Sequence, residues 1–153
     1  MKKRICLCLS AVLLAGLLLS CSRSPRCWGD DKNKGIIVSD VAIACEPETK
    51  SANYIINDLA TLQQLFPDSS FGSPCNTPAI DFTQHTLLGV YTKGQCSTKT
   101  IREVEKIGDE KKYNYRVTMR SCGKCKALVY SYNWVTVPRL PGGWAVTFEA
   151  REK

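Results

Sequence analysis

Hydrophobic and polar residues alternate through the second half of the chain with a period of two residues. The clearest case is segment 113–120, in which Tyr, Tyr, Val and Met alternate with Asn, Arg, Thr and Arg. Such alternation is typical of a strand that buries one face and exposes the other. Segments 86–92, 126–137 and 144–148 are also predicted strands. Segment 126–137 has apolar residues on both faces: Leu128, Tyr130, Tyr132 and Trp134 on one, and Val129, Val135 and Val137 on the other.

The pattern is less regular elsewhere. It predicts an opening strand at 36–44 and a short extended piece at 53–57. Segment 67–84 is rich in Pro, Ser, Gly and Asn, so we expect a long loop there. Segment 98–107 carries apolar residues three apart, which fits either a helix or a strand with a bulge.

One helix is predicted at 58–66, where Leu59, Leu62, Leu65 and Phe66 recur at helical spacing. Asn57 is its expected N-cap, and Pro67 ends it. The expected fold class is therefore α+β: an antiparallel β-meander sheet of five or six strands with one short helix packed on it. In such a meander, turns 93–97 and 122–125 lie at the same end of the sheet.

The first 20 residues have the three parts of a secretory signal. Basic residues open the chain, an uncharged run follows, and Leu18-Leu19-Ser20-Cys21 ends it. The ending resembles the bacterial lipobox, in which the cysteine is acylated and becomes the mature N-terminus. Acyl chains then replace a spanning helix. The alternative is a transmembrane anchor, but the run is shorter than the roughly 20 residues that a span needs.

We therefore divide the chain into a signal peptide at 1–20, a lipidated polar tether at 21–35 and one domain at 36–153. Removal of the signal leaves 18 basic and 14 acidic residues, a net charge of +4. So small an excess does not indicate a nucleic-acid partner. We expect a protein anchored in the bacterial cell envelope, and Arg23 and Arg26 in the tether favour a periplasm-facing location.

The chain has nine cysteines. Two leave with the signal and Cys21 is the expected site of lipid attachment. An even number in an oxidising compartment predicts a disulfide framework. Its six candidates are Cys27, Cys45, Cys75, Cys96, Cys122 and Cys125.

The turn geometry favours a bridge from Cys96 to Cys122 or Cys125. Cys75 would then bond to the other cysteine of that turn. By elimination, Cys27 would pair with Cys45.

Cys122-Gly123-Lys124-Cys125 also matches the C-G-x-C pattern of thiol–disulfide oxidoreductases. That chemistry places the first cysteine at a helix N-terminus, where its pKa is lowered. Here two predicted strands flank the motif, so we interpret it as a pair of structural cysteines. A zinc site would need a second ligand pair, which the sequence lacks. We expect neither a metal nor another cofactor.

Three further groups of residues carry possible chemistry. His85 beside Asp81 fits a general base, but no motif supplies a nucleophile, and Asp81 and Thr83 fit a turn better. Four carboxylates fit a glycosidase; they are Glu103, Glu105, Asp109 and Glu110. Cationic residues are interleaved with them, which favours a solvated surface. Four aromatics fit a binding platform, but their spacing favours a sheet core: Tyr130, Tyr132, Trp134 and Trp144.

The opposite faces of the same strands are polar. We expect them to form an exposed docking surface, comprising Arg116, Thr118, Arg120, Ser131 and Asn133.

The region of about 52–150 resembles the PrcB-type domain, a family named after a protease complex subunit and found in bacterial envelope lipoproteins. The similarity rests on the 59–66 helix, Pro78-Ala79-Ile80-Asp81-Phe82, and the two strands that contain 134–139 and 144–148. The resemblance implies a small α+β domain without known catalytic residues. It also implies an accessory or stabilising subunit of a protease or other envelope complex.

We therefore expect a non-enzymatic, lipid-anchored binding or accessory module. It would have a membrane contact through its lipid and a protein partner in the envelope. Two alternatives stay open. One is a thiol–disulfide oxidoreductase that uses Cys122 and Cys125, and the other is a protease inhibitor that presents turn 138–143 or turn 93–97.

Overall fold

The structure is a computed structural model of the 153-residue chain, and it describes residues 31–67, 75, 77–96, 98–122, 125 and 127–153. The predicted signal peptide and most of the tether, with Cys21 and Cys27, lie outside these residues. The described residues form eight strands and one helix: β1 Lys32–Gly35, β2 Ser39–Val41, β3 Asn53–Ile56, α1 Leu59–Leu65, β4 His85–Gln95, β5 Thr98–Ile107, β6 Lys112–Ser121, β7 Leu128–Pro138 and β8 Ala145–Glu152.

The strands form two four-stranded sheets. The first has the order β1-β5-β6-β8, and the second has the order β2-β7-β4-β3. The second sheet is antiparallel throughout, whereas β1 with β5 and β6 with β8 are parallel pairs in the first. The prediction of a mostly β protein with one short helix is confirmed for the described residues, but the prediction of a single meander is wrong.

The prediction of a single meander is wrong because the β5–β6 hairpin belongs to the first sheet, which packs against the sheet that contains β4 and β7. β4 and β7 pair with each other over 11 residues, from His85 opposite Pro138 to Gln95 opposite Leu128. The hairpin between them in sequence supplies the two central strands of the first sheet. β4 is consequently covered on both faces, and every residue from Thr86 to Val90 is buried. An unbroken apolar run is typical of a strand in that position.

Two hydrophobic clusters result. The first fills the space between the sheets and comprises Leu88, Val90, Val104, Tyr113, Tyr115, Val117, Met119, Val135 and Val137. The second lies between the other face of the second sheet and α1, and comprises Tyr54, Ile56, Leu62, Phe66, Phe82, Leu87 and Trp134. Helix packing on the sheet is therefore confirmed.

The helix begins one residue later than predicted. Asp58 is its N-cap, since the Asp58 carboxylate accepts a hydrogen bond from the Thr61 amide N–H at 2.7 Å. The expectation that Asn57 caps the helix is wrong. The Asn57 side chain instead accepts a hydrogen bond from the Thr86 hydroxyl at 2.6 Å, which connects the helix start to β4.

The predicted opening strand at 36–44 contains only the short strand β2, and β1 lies at the end of the predicted tether. The chain changes sheets between these two strands. Gly35 has φ +75°, and a Cβ on it would lie 1.9 Å from the Val104 carbonyl oxygen. The Ile36 amide still bonds to Val104 of β5, but the Val38 amide bonds to Thr136 of β7. The undecided segment 98–107 is a strand, β5.

Candidate functional site

The cysteine-rich turns lie together at one end of the molecule. Cys96 follows β4 and Cys125 precedes β7, and the two form a disulfide with their Cα atoms 5.8 Å apart. A backbone hydrogen bond of 3.0 Å from the Cys96 amide to the Ala127 carbonyl holds the same two segments. The predicted bridge between Cys96 and the 122–125 turn is confirmed. Cys122 is also disulfide-bonded.

The second described disulfide joins Cys45 to Cys75, with Cα atoms 5.6 Å apart. The expected pairing of Cys27 with Cys45 is therefore wrong, and so is the expected reach of Cys75 to the 122–125 turn. Both cysteines pack against the cluster beneath α1, so the bridge fastens the segment after β2 to the loop that follows the helix. Cys75 is thereby held beside the cluster under α1.

The carboxylate beside His85 serves a turn. The Asp81 side chain accepts hydrogen bonds from the Thr83 hydroxyl at 2.6 Å and from the Thr83 amide at 2.9 Å. These bonds lower the pKa of the Asp81 carboxyl. The link from His85 to Asp81 is a backbone one, from the His85 amide to the Asp81 carbonyl.

The four acidic residues considered for glycoside hydrolysis are divided between a strand and a turn. Glu103 and Glu105 lie on β5, whereas Asp109 and Glu110 lie in the turn before β6. Glu103 is paired with Arg116, and Glu110 with Lys112. Across the described residues, no three His, Cys, Asp or Glu side chains form a group that could hold a metal ion.

The outer face of the first sheet is an uncovered, mostly polar surface. Alternate β6 residues are buried against the second sheet, so the residues between them point outward with their register partners on β1, β5 and β8. We call this surface the outer face; it comprises Lys32, Lys34, Lys99, Ile101, Glu103, Glu105, Asn114, Arg116, Thr118, Arg120, Thr147, Glu149 and Arg151.

A row of alternating charges crosses the outer face. The Arg116 guanidinium contacts Glu103 on one side at 3.1 Å and Glu149 on the other at 2.9 Å, and Glu149 also pairs with Arg151. The hydrogen bond to Arg116 is the main reason that the pKa of the Glu149 carboxyl is lowered. Surface ion pairs add little stability, but this row fixes where each charge lies.

The expectation that the five polar residues share one exposed sheet face is wrong. Arg116, Thr118 and Arg120 lie on the outer face, but Ser131 and Asn133 belong to the second sheet. Asn133 is only 4% exposed and points between the sheets. The error follows from the single-meander prediction, which placed β6 and β7 side by side.

Arg102 is a polar group that the sequence analysis assigned to the solvated surface. Its guanidinium instead reaches between the sheets, where Nε donates to the Asn133 side chain at 3.2 Å. Nη2 pairs with Asp31 at 3.2 Å, and Nη1 with Asp40 at 3.7 Å. The side chain is 15% exposed. The two-residue period of β5 was the available signal, because it places Arg102 on the face of buried Val104.

Arg102 forms one wall of an open groove along β2. The groove has a volume of about 570 Å³. Apart from Arg102 it is lined by Asp40 and by six mainly apolar residues: Val41, Ala42, Ile43, Ala44, Tyr132 and Trp134. The Arg102 guanidinium is already bound by Asp31 and Asp40, so the groove carries no uncommitted charge from that residue.

The predicted aromatic row is divided by the helix. Trp134 is 3% exposed and lies in the cluster under α1, whereas Tyr130 on the same face is 53% exposed. Trp144 packs against the cluster between the two sheets, with its ring edge-on to Tyr113. Sequence analysis missed Tyr91 of β4, which contacts Tyr132 at 4.8 Å and Tyr130 at 5.9 Å between ring centroids.

Comparison of the chain with protein families, with curated proteins and with solved structures found no match. Within the ranges that the structure describes, no helix is long and apolar enough to cross a membrane.

Proposed function

We propose that the protein is a non-enzymatic accessory module of the bacterial cell envelope, anchored by lipid on Cys21 and binding a protein partner through its outer face. The observation that carries this proposal is the row of charges centred on Arg116. Because Glu103 and Glu149 hold Arg116 from both sides, the polar pattern is in place before a partner arrives. Preorganised charge complementarity gives specificity to protein association.

The disulfides support a module in an oxidising compartment. The described cysteines are all in disulfides: two pairs are Cys45–Cys75 and Cys96–Cys125, and Cys122 is also bonded. Disulfides persist in exported proteins and are rare in the cytosol. This agrees with export by the segment 1–20 and with a periplasm-facing location.

The same pairing weighs against the oxidoreductase alternative. A redox-active C-G-x-C motif needs its two cysteines to bond to each other in the oxidised state. Cys125 is bonded to Cys96 instead. The motif lies between β6 and β7, and no helix among the described residues begins there to stabilise a thiolate. Both cysteines therefore serve the fold in this account.

The resemblance to PrcB-type domains suggests the class of partner, a protease or another envelope complex that this module stabilises. An inhibitor is the second candidate, and one observation favours it. The exposed turn 138–143 is held rigidly, since the Arg139 amide bonds to the Gln84 carbonyl and the Leu140 amide to the Thr86 hydroxyl. Rigid loops bind with little loss of conformational entropy.

Site-specific photo-crosslinking in native membranes tests the proposal. A photoreactive amino acid is placed at Thr118, and separately at Arg120, both on the outer face; the control position is Thr83, an exposed residue in the turn before β4. The proposal predicts that both outer-face positions capture the same protein and that Thr83 does not. Equal capture at all three positions, or capture at Thr83 alone, would contradict it.

A further inference from the structure

Four exposed apolar side chains gather where β4 ends and β7 begins. They are Tyr91, Leu128, Val129 and Tyr130, which are 40%, 52%, 47% and 53% exposed. Tyr91, Leu128 and Tyr130 share one face of the second sheet, whereas Val129 lies on the opposite face. Tyr91 and Tyr130 stack across the two strands with an interplanar angle of 13°. The cluster under α1 does not extend this far along the second sheet. We call these four residues the apolar end.

Basic residues lie at the same end of the molecule as the apolar end. The Lys93 ammonium lies over the Tyr130 ring at 5.8 Å from its centroid. Arg120 and Lys153 are exposed at the same end of the first sheet, where the Lys153 amide bonds to the Met119 carbonyl. The acidic Glu152 accepts a hydrogen bond from Ser121 there.

The chain that carries the expected lipid enters from this end. β1 runs parallel to β5 with Lys32 opposite Ile101, so the residues before Lys32 lie towards the start of β5. The Asp31 carboxylate accepts a hydrogen bond from the Thr100 amide at 2.9 Å. Asp31 is ten positions after Cys21 in the sequence, and ten residues span at most about 33–36 Å when extended. The described part of the chain therefore begins at the end of the molecule that carries the apolar end.

We propose that the apolar end rests on the surface of the membrane into which Cys21 is anchored, with Tyr91, Tyr130 and Leu128 among the headgroups. This inference rests on the proposed lipid anchor. Tyrosine side chains favour membrane–water interfaces, and lysine stems lie along apolar surface while their charges reach anionic headgroups. Aromatic, aliphatic and basic groups at one end match an anionic bilayer.

This contact orients the whole domain. Tyr91 lies six residues after His85 on β4, so the far end of the strand, with His85 and the rigid turn 138–143, stands about 20 Å from the headgroups at the strand rise. The outer face then lies along the membrane normal and is open to a partner in the same compartment. The acyl chains on Cys21 would hold the protein at the membrane, and this second contact would fix the orientation of the domain.

Hydroxyl-radical footprinting tests the inference. The purified full-length protein is reconstituted in vesicles of phosphatidylethanolamine and phosphatidylglycerol, and oxidation of each residue is measured by mass spectrometry. We expect oxidation of Tyr130 to be about threefold slower than in the unlipidated Cys21→Ser protein in solution, because headgroups cover the side chain. Trp144 should be oxidised equally in both samples. Equal oxidation of Tyr130 would overturn the proposal.

A matched pair of variants tests whether the protection of Tyr130 comes from membrane contact at the apolar end or from a general effect of the vesicles. Leu128 is 52% exposed at the apolar end, and Leu59 is 56% exposed at the start of α1. We expect Leu128→Ser to return Tyr130 oxidation towards its rate in solution, and Leu59→Ser to leave it protected. Protection of Tyr130 in the free Cys21→Ser protein, growing with concentration, would show instead that a second copy covers the surface.

The lipid anchor on Cys21 and the membrane contact of the apolar end can be tested separately. If the mass of the native protein shows no acyl group on Cys21, the proposed anchor is wrong. The same footprint is then taken with the protein held to vesicles by an N-terminal hexahistidine tag and a nickel-chelating lipid. Slower oxidation of Tyr130 in that sample would support the membrane contact of the apolar end without the lipid anchor. Unchanged oxidation would overturn the membrane contact as well.

Discussion

The indole ring of Trp134 occupies the space that a side chain at Gly89 would need. The two residues are directly opposite each other on β7 and β4, and a Cβ on Gly89 would lie 2.1 Å from the nearest Trp134 ring atom. Trp134 then packs against Tyr54 and Phe66, at 5.3 and 5.6 Å between ring centroids. The glycine is thus what allows the tryptophan to lie flat beneath the helix.

Gly89→Ala should lower the free energy of unfolding by about 1–3 kcal/mol, because the added methyl group displaces the indole ring. Denaturant unfolding followed by tryptophan fluorescence measures the change. Gly108→Ala is the matched control, since its Cβ would meet no atom within 4 Å, and it should leave stability nearly unchanged. Equal effects of the two substitutions would contradict the packing described for Trp134.

The Cys96–Cys125 bridge should stabilise the fold and perform no redox chemistry. The two cysteines are 29 residues apart, so the double variant Cys96→Ser/Cys125→Ser should lose about 3–4 kcal/mol of unfolding free energy in the chain-entropy estimate. Urea unfolding measures the loss. In an insulin-reduction assay the wild-type protein should be inactive. Wild-type activity that disappears in Cys122→Ser and in Cys125→Ser would favour the oxidoreductase alternative.

Tyr115 should make stability sensitive to alkaline pH. The side chain is fully buried, its hydroxyl donates to the Asn133 carbonyl at 3.0 Å, and burial raises its pKa. Because the folded state holds the proton more tightly than the unfolded state, stability is constant below pH about 10 and falls as the pH rises further. Tyr115→Phe should weaken this alkaline loss, at a cost of about 1 kcal/mol at pH 7.

Thermal unfolding of both proteins between pH 8 and pH 11 checks the prediction for Tyr115. An identical alkaline loss in wild type and Tyr115→Phe would show that other tyrosines or lysines account for it.

Asp58 should make stability sensitive to acid. Its bonds to the Thr61 amide and hydroxyl lower the pKa of the Asp58 carboxyl below the usual 3.8. The stabilisation is therefore present above pH about 4 and is lost as the pH falls through the folded-state pKa. Asp58→Ala should reduce stability at pH 7 and less so near pH 2, as measured by thermal unfolding.

Asp58→Asn is the control for that prediction, because asparagine also caps helices but does not titrate. It should stay close to wild type at pH 7. A deficit in Asp58→Ala that is the same at pH 7 and pH 2 would contradict a role for the carboxylate charge.

The two-residue alternation of apolar and polar residues predicted β6, β7 and β8, because that alternation can be read within each strand from its own sequence alone. A bridge from Cys96 to the 122–125 turn also followed from local information, since strands of similar length that reverse direction bring turns 93–97 and 122–125 to one end. Whether Cys122 or Cys125 was the partner stayed open. What the sequence could not show is which strands become neighbours. Pairing of β4 with β7 across the inserted hairpin is a non-local choice.

That choice also determined which polar residues became buried. Asn133 faces the interior because the first sheet lies over it, and there it meets Arg102. Neither residue type predicts burial by itself. The two residues lie on strands of different sheets, so the Arg102–Asn133 contact exists only once the two sheets have stacked. The same stacking separated Tyr130 from Trp134, since α1 covers only part of the second sheet.

The pairing of Cys122 follows from the other bridges. Cys122 is disulfide-bonded, and the other four described cysteines bond to each other. If residues 1–20 are removed and Cys21 is acylated, Cys27 is the cysteine that is left. β1 enters from the end of the sheet at which Cys122 lies, so we predict a Cys27–Cys122 bridge, which non-reducing peptide mapping detects.

The central claim is that this is an exported, lipid-anchored module whose remaining cysteines hold the fold. The most direct test is the intact mass of the protein purified from native membranes, combined with its non-reducing peptide map. We predict a mature chain that begins at an acylated Cys21, contains Cys45–Cys75 and Cys96–Cys125 bridges, and has no free thiol. An unmodified Cys21, or a bridge between Cys122 and Cys125, would contradict the account.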